Sequence, residues 1–166
     1  MLLTEFDDNR QAIINPEDLN EPLEGFPKIA VSCFSRSTFQ RMLEMFPHEL
    51  IYETSMANVA IPIYKLVIDE QELALFNAPV GASACVAILE DIFALGTDKL
   101  VLFGTCGVLD EDIKETSIII PSHALRDEGT SFHYVEASNE IAVNVGVLAC
   151  FRSYLNERQI PHKEGK

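Results

Sequence analysis

The sequence predicts an α/β fold with three layers, helices covering both faces of a mixed central sheet. Three observations predict it. Short continuous apolar runs, Lys28–Cys33 and Lys99–Phe103, have the length and character of strands buried on both faces. Longer segments between and after them carry apolar residues at helical spacing. The two kinds of segment alternate along the chain, which separates an α/β protein from an all-β or bundle one.

Taken in order, residues 1–27 form an acidic N-terminal arm, with Arg10 as the one cation up to Glu24 and with Pro16 and Pro22 inside it. It reads as a loosely ordered or docking segment. Residues 28–166 form the α/β domain. Lys28–Cys33 is the first strand, expected in the sheet interior. Phe39, Met42, Leu43 and Phe46 then fall on one helical face, and Pro47 closes that helix. Ile61–Ile68 and Leu73–Ala78 read as strands of a hairpin, because the polar tetrad Asp69–Glu72 separates them. Pro79–Ser83 is a turn that opens a helix carrying Val86, Leu89, Ile92 and Phe93 and ending at Gly96. Lys99–Phe103 is a second interior strand, running straight into Gly104-Thr105-Cys106-Gly107. Ser117–Ile120 is a strand stopped by Pro121, and Ile141–Leu155 is a final helix.

The 166 residues amount to one domain. Twelve Lys and Arg against 26 Asp and Glu give a formal charge of −14, which argues against a nucleic-acid backbone or an anionic membrane as partner. No apolar run reaches the roughly 18–20 residues that span a bilayer. No signal peptide is visible at the start. Cys33, Cys85, Cys106 and Cys150 stand far apart in apolar surroundings, as reduced core thiols of a cytoplasmic protein do.

In a sheet of this kind, ligands gather at the carboxyl ends of the strands. That rule points to Ser32–Arg36, Pro79–Ser83 and Gly104–Gly107. Arg36 is placed to pair with a phosphate or carboxylate, with Ser32 as a further donor or a helix cap. Two glycines around Thr105 permit close backbone approach and positive φ, and the successive N–H groups there form a nest for an anion. Arg126, Asp127, Glu128 and His133 lie in the most polar-aromatic stretch. The first three are candidates for a structural ion-pair knot, and His133 is a candidate base, ligand or stacked surface residue. A lone histidine at no ligand spacing argues against a metal. The residues alone thus lead to an α/β domain with a small-anion site, and assign no catalytic acid, base or nucleophile.

Three segments then become familiar together: Leu102-Phe-Gly-Thr-Cys-Gly-Val-Leu109, Ile118-Ile-Ile-Pro121 and Ala124-Leu-Arg-Asp-Glu-Gly-Thr-Ser-Phe-His-Tyr134. They resemble the nucleoside phosphorylase-I family, which includes purine nucleoside and uridine phosphorylases and related nucleosidases. The last stretch looks most like the uridine-phosphorylase branch.

The resemblance implies phosphate-dependent cleavage of the N-glycosidic bond of a purine or pyrimidine nucleoside. It implies no cofactor, inorganic phosphate as co-substrate, and a homo-oligomer, dimer or hexamer, in the cytoplasm. By position it puts Arg36 and Thr105 at the phosphate, Cys106 near the base and Gly104 and Gly107 shaping the loop beside the ribose and base; Ser32 joins the phosphate candidates as a neighbouring donor, in a first loop that departs from the family's glycine-rich one. Two further phosphate arginines of the family have no counterpart, since Lys99–Phe103 and Met56–Ala60 are apolar or neutral at those places. Nor does the chain contain Glu-Met-Glu, the family's ribose clamp. The expectation is therefore a truncated or shortened member, inactive as this chain. The alternatives are a non-catalytic binding or assembly homologue, or a nucleosidase-type hydrolase using water.

Overall fold

The computed structural model describes residues 4–113 and 118–166. Ser117, read above as the start of a strand, lies outside the described residues. The chain falls into two compact units, Asn9–Thr105 and Cys106–Lys166, the latter with Met1–Asp8.

In the first unit the elements are α1 (Pro16–Leu19), β1 (Ile29–Cys33), α2 (Arg36–Met45), β2 (His48–Met56), β3 (Val59–Ile68), β4 (Gln71–Asn77), α3 (Ala82–Ala94) and β5 (Lys99–Phe103). They build one five-stranded sheet in the order β2-β3-β4-β1-β5. β1 runs parallel to β4 and β5, whereas β2, β3 and β4 are antiparallel neighbours, so the sheet is mixed. The expected hairpin is β3–β4. Asp69 and Glu70 both take positive φ (48° and 66°), as a two-residue hairpin turn requires.

Strand alternation sends side chains to two faces. Ala30, Ile61, Ile63, Ala74 and Phe76 meet Ile88 and Ile92 of α3 on one face. Cys33, Leu66 and Leu75 meet Phe39 of α2 on the other, with Met42, Leu43 and Phe46 at its margin. Three layers result. The last part of the arm is docked on α3: Asn20 donates to Asp91 Oδ1 at 2.9 Å, Leu23 N–H donates to the Leu95 carbonyl at 3.1 Å, and Phe26 is buried in the α3 core. Thr54 of β2 donates to the other Asp91 oxygen at 2.6 Å.

Two readings change. β1 is interior, but β5 is the edge strand, and Lys99, Leu102 and Phe103 are exposed. An apolar run reports what lies on a strand's faces and not whether a neighbour lies beyond it. β2 is a further strand beyond those expected, with mostly exposed residues at its start.

The second unit contains β6 (Ile118–Pro121), β7 (His123–Leu125), a 3-10 turn (Thr130–His133), β8 (Glu140–Ala142), α4 (Val145–Glu157) and β9 (His162–Gly165). β6 pairs in parallel with β9, and β7 pairs antiparallel with β8. The final helix starts four residues later than expected. Asn144 accepts from the Gly146 and Val147 N–H groups and so fixes the start, leaving Ile141 in β8. Arg152 holds β9 to α4 through both Glu164 oxygens, at 2.6 and 2.8 Å. No helix among the described residues is long and apolar enough to cross a membrane.

Candidate functional site

The carboxyl ends of β1, β4 and β5 lie side by side, with Cys33 opposite both Asn77 and Phe103. The loops that leave them carry Arg36, Gly81 and Thr105. Ser35 caps α2, its hydroxyl accepting from Thr38 N–H at 3.2 Å. Arg36 is therefore the first residue of a capped helix. It is exposed and has no hydrogen-bond or ion-pair partner among the described residues. α3 begins differently. Its N-cap, Gly81, has φ 111° and provides no side-chain cap to this 13-residue helix.

A side chain at Gly81 meets no atom within 4 Å, so Gly81→Ala tests backbone strain alone. It is expected to lower stability by ~1–3 kcal/mol, read from the denaturant midpoint. No change would mean that alanine tolerates this φ.

Ser32 differs from its expected role. It is fully buried, and its hydroxyl donates to the Phe76 carbonyl at 2.9 Å and accepts from Ala78 N–H at 3.0 Å. The hydroxyl joins the ends of β1 and β4, and both its donor and an acceptor position are taken up there. Thr105 and Gly104 are exposed on the loop after β5. A Cβ on Gly104 would stand 3.2 Å from the Phe34 ring, so the glycine lets the β1 and β5 loops approach. Neither Gly104 nor Gly107 takes the positive φ expected of the pair.

The boundary between the units falls within this loop, so Cys106 and Gly107 belong to the second unit, where both are exposed. Of the four free thiols, Cys33 and Cys85 are buried, and burial pushes both up in pKa. Cys106 and Cys150 are exposed, because apolar neighbours in sequence do not guarantee burial.

In the second unit Arg126 is 7% exposed. Its guanidinium donates to the Ser131 and Ser138 hydroxyls, both at 2.9 Å, and to the Val135 and Glu136 carbonyls, and it stacks on the Phe132 ring at 4.1 Å. The expected Arg-Asp-Glu knot is thus made mostly of neutral acceptors. Glu128 enters through Ser131: the hydroxyl accepts from Arg126 and donates to Glu128, whose carboxylate also accepts from the Thr130 and Ser131 N–H groups. Asp127 and His133 are exposed. Among the described residues no group of three His, Cys, Asp or Glu could hold a metal ion.

The Ser131 hydroxyl, and then the backbone N–H groups of Ser131 and Thr130, hold Glu128 below its ordinary pKa of 4.5. A depressed carboxyl stabilises the fold fully above that ordinary value. The contribution is lost as pH falls through the lower native one. Acid titration of stability should therefore flatten in Glu128→Gln. Glu140 and Glu164 are lowered by Lys166 and Arg152, so they keep their own share of the slope. An unchanged slope in the variant would remove Glu128 from the acid response.

Residues 28–166 match the profile of the Phosphorylase superfamily. A guanosine phosphorylase of Halorubrum lacusprofundi is 27% identical over 74 residues, covering 43% of this chain and 31% of that protein. Among solved structures, a uridine phosphorylase from Vibrio fischeri superposes with a TM-score of 0.74 at 17% identity, over 93% of this chain and 64% of that one. A 5'-methylthioadenosine/S-adenosylhomocysteine nucleosidase from Helicobacter pylori gives 0.66 at 21% identity, over 86% and 63%. The two structural likenesses are likenesses of fold. The chain spans about a third of the curated relative and just under two thirds of each solved chain.

Proposed function

The chain belongs to the phosphorylase superfamily, and from that premise we propose that it serves the phosphorolysis of purine or pyrimidine nucleosides in cytoplasmic salvage or catabolism. In this reaction inorganic phosphate attacks C1′ of the ribose and the base departs, with no cofactor. The ribose passes through oxocarbenium character, so the protein's task is to place a phosphate anion beneath C1′. The observation that supports the reading is that three groups suited to an anion leave from the carboxyl ends of neighbouring strands. Arg36, whose side chain has no partner among the described residues, and the N-terminus of α3 follow adjacent parallel strands, with Thr105 after the next. A guanidinium, a helix N-terminus and a hydroxyl suit one phosphate. Gly104 is the proposed ribose neighbour, and a homo-oligomer, dimer or hexamer, is the proposed assembly.

One observation favours a second reading, a nucleosidase using water. Arg36 is the one Lys or Arg in the segments 33–36, 77–83 and 103–105. A single cation holds a phosphate less firmly than several, at about 1.5–3 kcal/mol for each charged hydrogen bond.

Phosphate titration followed by calorimetry or the Arg36 side-chain NMR signal tests the site. Arg36→Ala is expected to weaken binding at least ~10-fold. Unchanged binding would place the anion elsewhere.

A further inference from the structure

Backbone pairing between β1 and β4 ends at Cys33 and Asn77, where the chains turn off towards α2 and α3. Side chains take over there. Asn77 Nδ2 donates to the Cys33 carbonyl at 2.6 Å. The Ala78 N–H is shared between that same carbonyl, at 3.1 Å, and the Ser32 hydroxyl, at 3.0 Å. Ser32 in turn donates to the Phe76 carbonyl. Four hydrogen bonds therefore clasp the strand ends at the last two pairs of the ladder, three of them made by side chains. Arg36 lies three residues past Cys33, and the α3 N-cap lies three residues past Ala78.

We infer that Asn77 is a positioning residue for the anion site, setting the separation between Arg36 and the α3 N-terminus. The inference rests on the reading of that edge as a phosphate site. Its physical basis is that an anion held by two groups on different elements gains from both only when their spacing matches its size. Ser32 is fully buried, and removing its hydroxyl leaves a carbonyl and an N–H to satisfy. Asn77 is only half-buried, so its replacement isolates spacing from folding.

The experiment is phosphate titration of the full 166-residue chain carrying Asn77→Leu, which keeps the side chain's bulk and removes the donor. Affinity is scored for the folded fraction, alongside unfolding without phosphate. The expected result is ~10-fold weaker binding by protein that remains folded. A purely structural asparagine would lower stability and leave the affinity of the folded fraction unchanged, and that result overturns the inference. Arg36→Ala is run in parallel. If it too leaves binding unchanged, the phosphate site itself is wrong and the inference falls with it. If Asn77→Leu does not fold, Asn77→Ser, which also loses the bond to the Cys33 carbonyl, is titrated in its place: weaker phosphate binding by its folded fraction supports the inference, and unchanged affinity overturns it.

Discussion

Replacing Arg126 with methionine is expected to melt the segment from β7 to β8 and cost ~3–5 kcal/mol. Methionine keeps much of the length and the contact with Phe132, but donates nothing. Two serine hydroxyls and the Val135 and Glu136 carbonyls lose their donor at once in a site that is 7% exposed. Glu128 keeps Ser131 as donor, so the loss is traceable to the arginine side of the knot. Arg126→Lys should recover little, since one ammonium does not reproduce a planar fork that bonds four acceptors. Hydrogen exchange at the Arg126 N–H, which donates to the Asn139 carbonyl, reports the segment directly. A cost below about 1 kcal/mol would mean that the guanidinium is effectively a surface group.

With phosphate and uridine, inosine or methylthioadenosine, the isolated 166-residue chain is expected to show no enzyme-like release of base. Arg36 and Thr105 stand open to water, where electrostatic stabilisation of a developing charge is weak. The ribose clamp that the resemblance implies, Glu-Met-Glu, does not occur within these 166 residues. Positioning and leaving-group stabilisation together are worth on the order of 10 kcal/mol of barrier. Free base and ribose 1-phosphate are assayed with and without phosphate. Turnover near ~1 per second would show that the clamp is dispensable or replaced. Turnover independent of phosphate would select the nucleosidase reading.

Local chemistry made much of this fold legible. The helical spacing of Phe39, Met42, Leu43 and Phe46, the acidic turn before Glu72 and the break at Pro79–Ser83 all report interactions within a few residues. What stayed hidden depends on partners far along the chain. β2 lies at the sheet edge and shows little apolar run, so its strand character comes from pairing with β3. β5 looks like an interior strand until the sheet order is known. Ser32 was legible as a hydroxyl near an anion loop. Its parity with Ala30 turns it towards α3, and its bonds reach 44 and 46 residues away. Asn77 carried no local signal at all, because the carbonyl it grips is 44 residues distant.

The docked arm has a consequence for anyone cutting the gene. The ancestral signature starts at residue 28, and a version trimmed to it would look tidy on paper. It would also lose the Asn20 donor to Asp91, the Leu23 bond to the end of α3 and the Phe26 ring from the core, leaving Asp91 with only Thr54 of its two strut partners. Descent and foldability draw different borders here: shared ancestry is recorded from Lys28 onward, while mechanical integrity begins at least eight residues earlier, at Asn20.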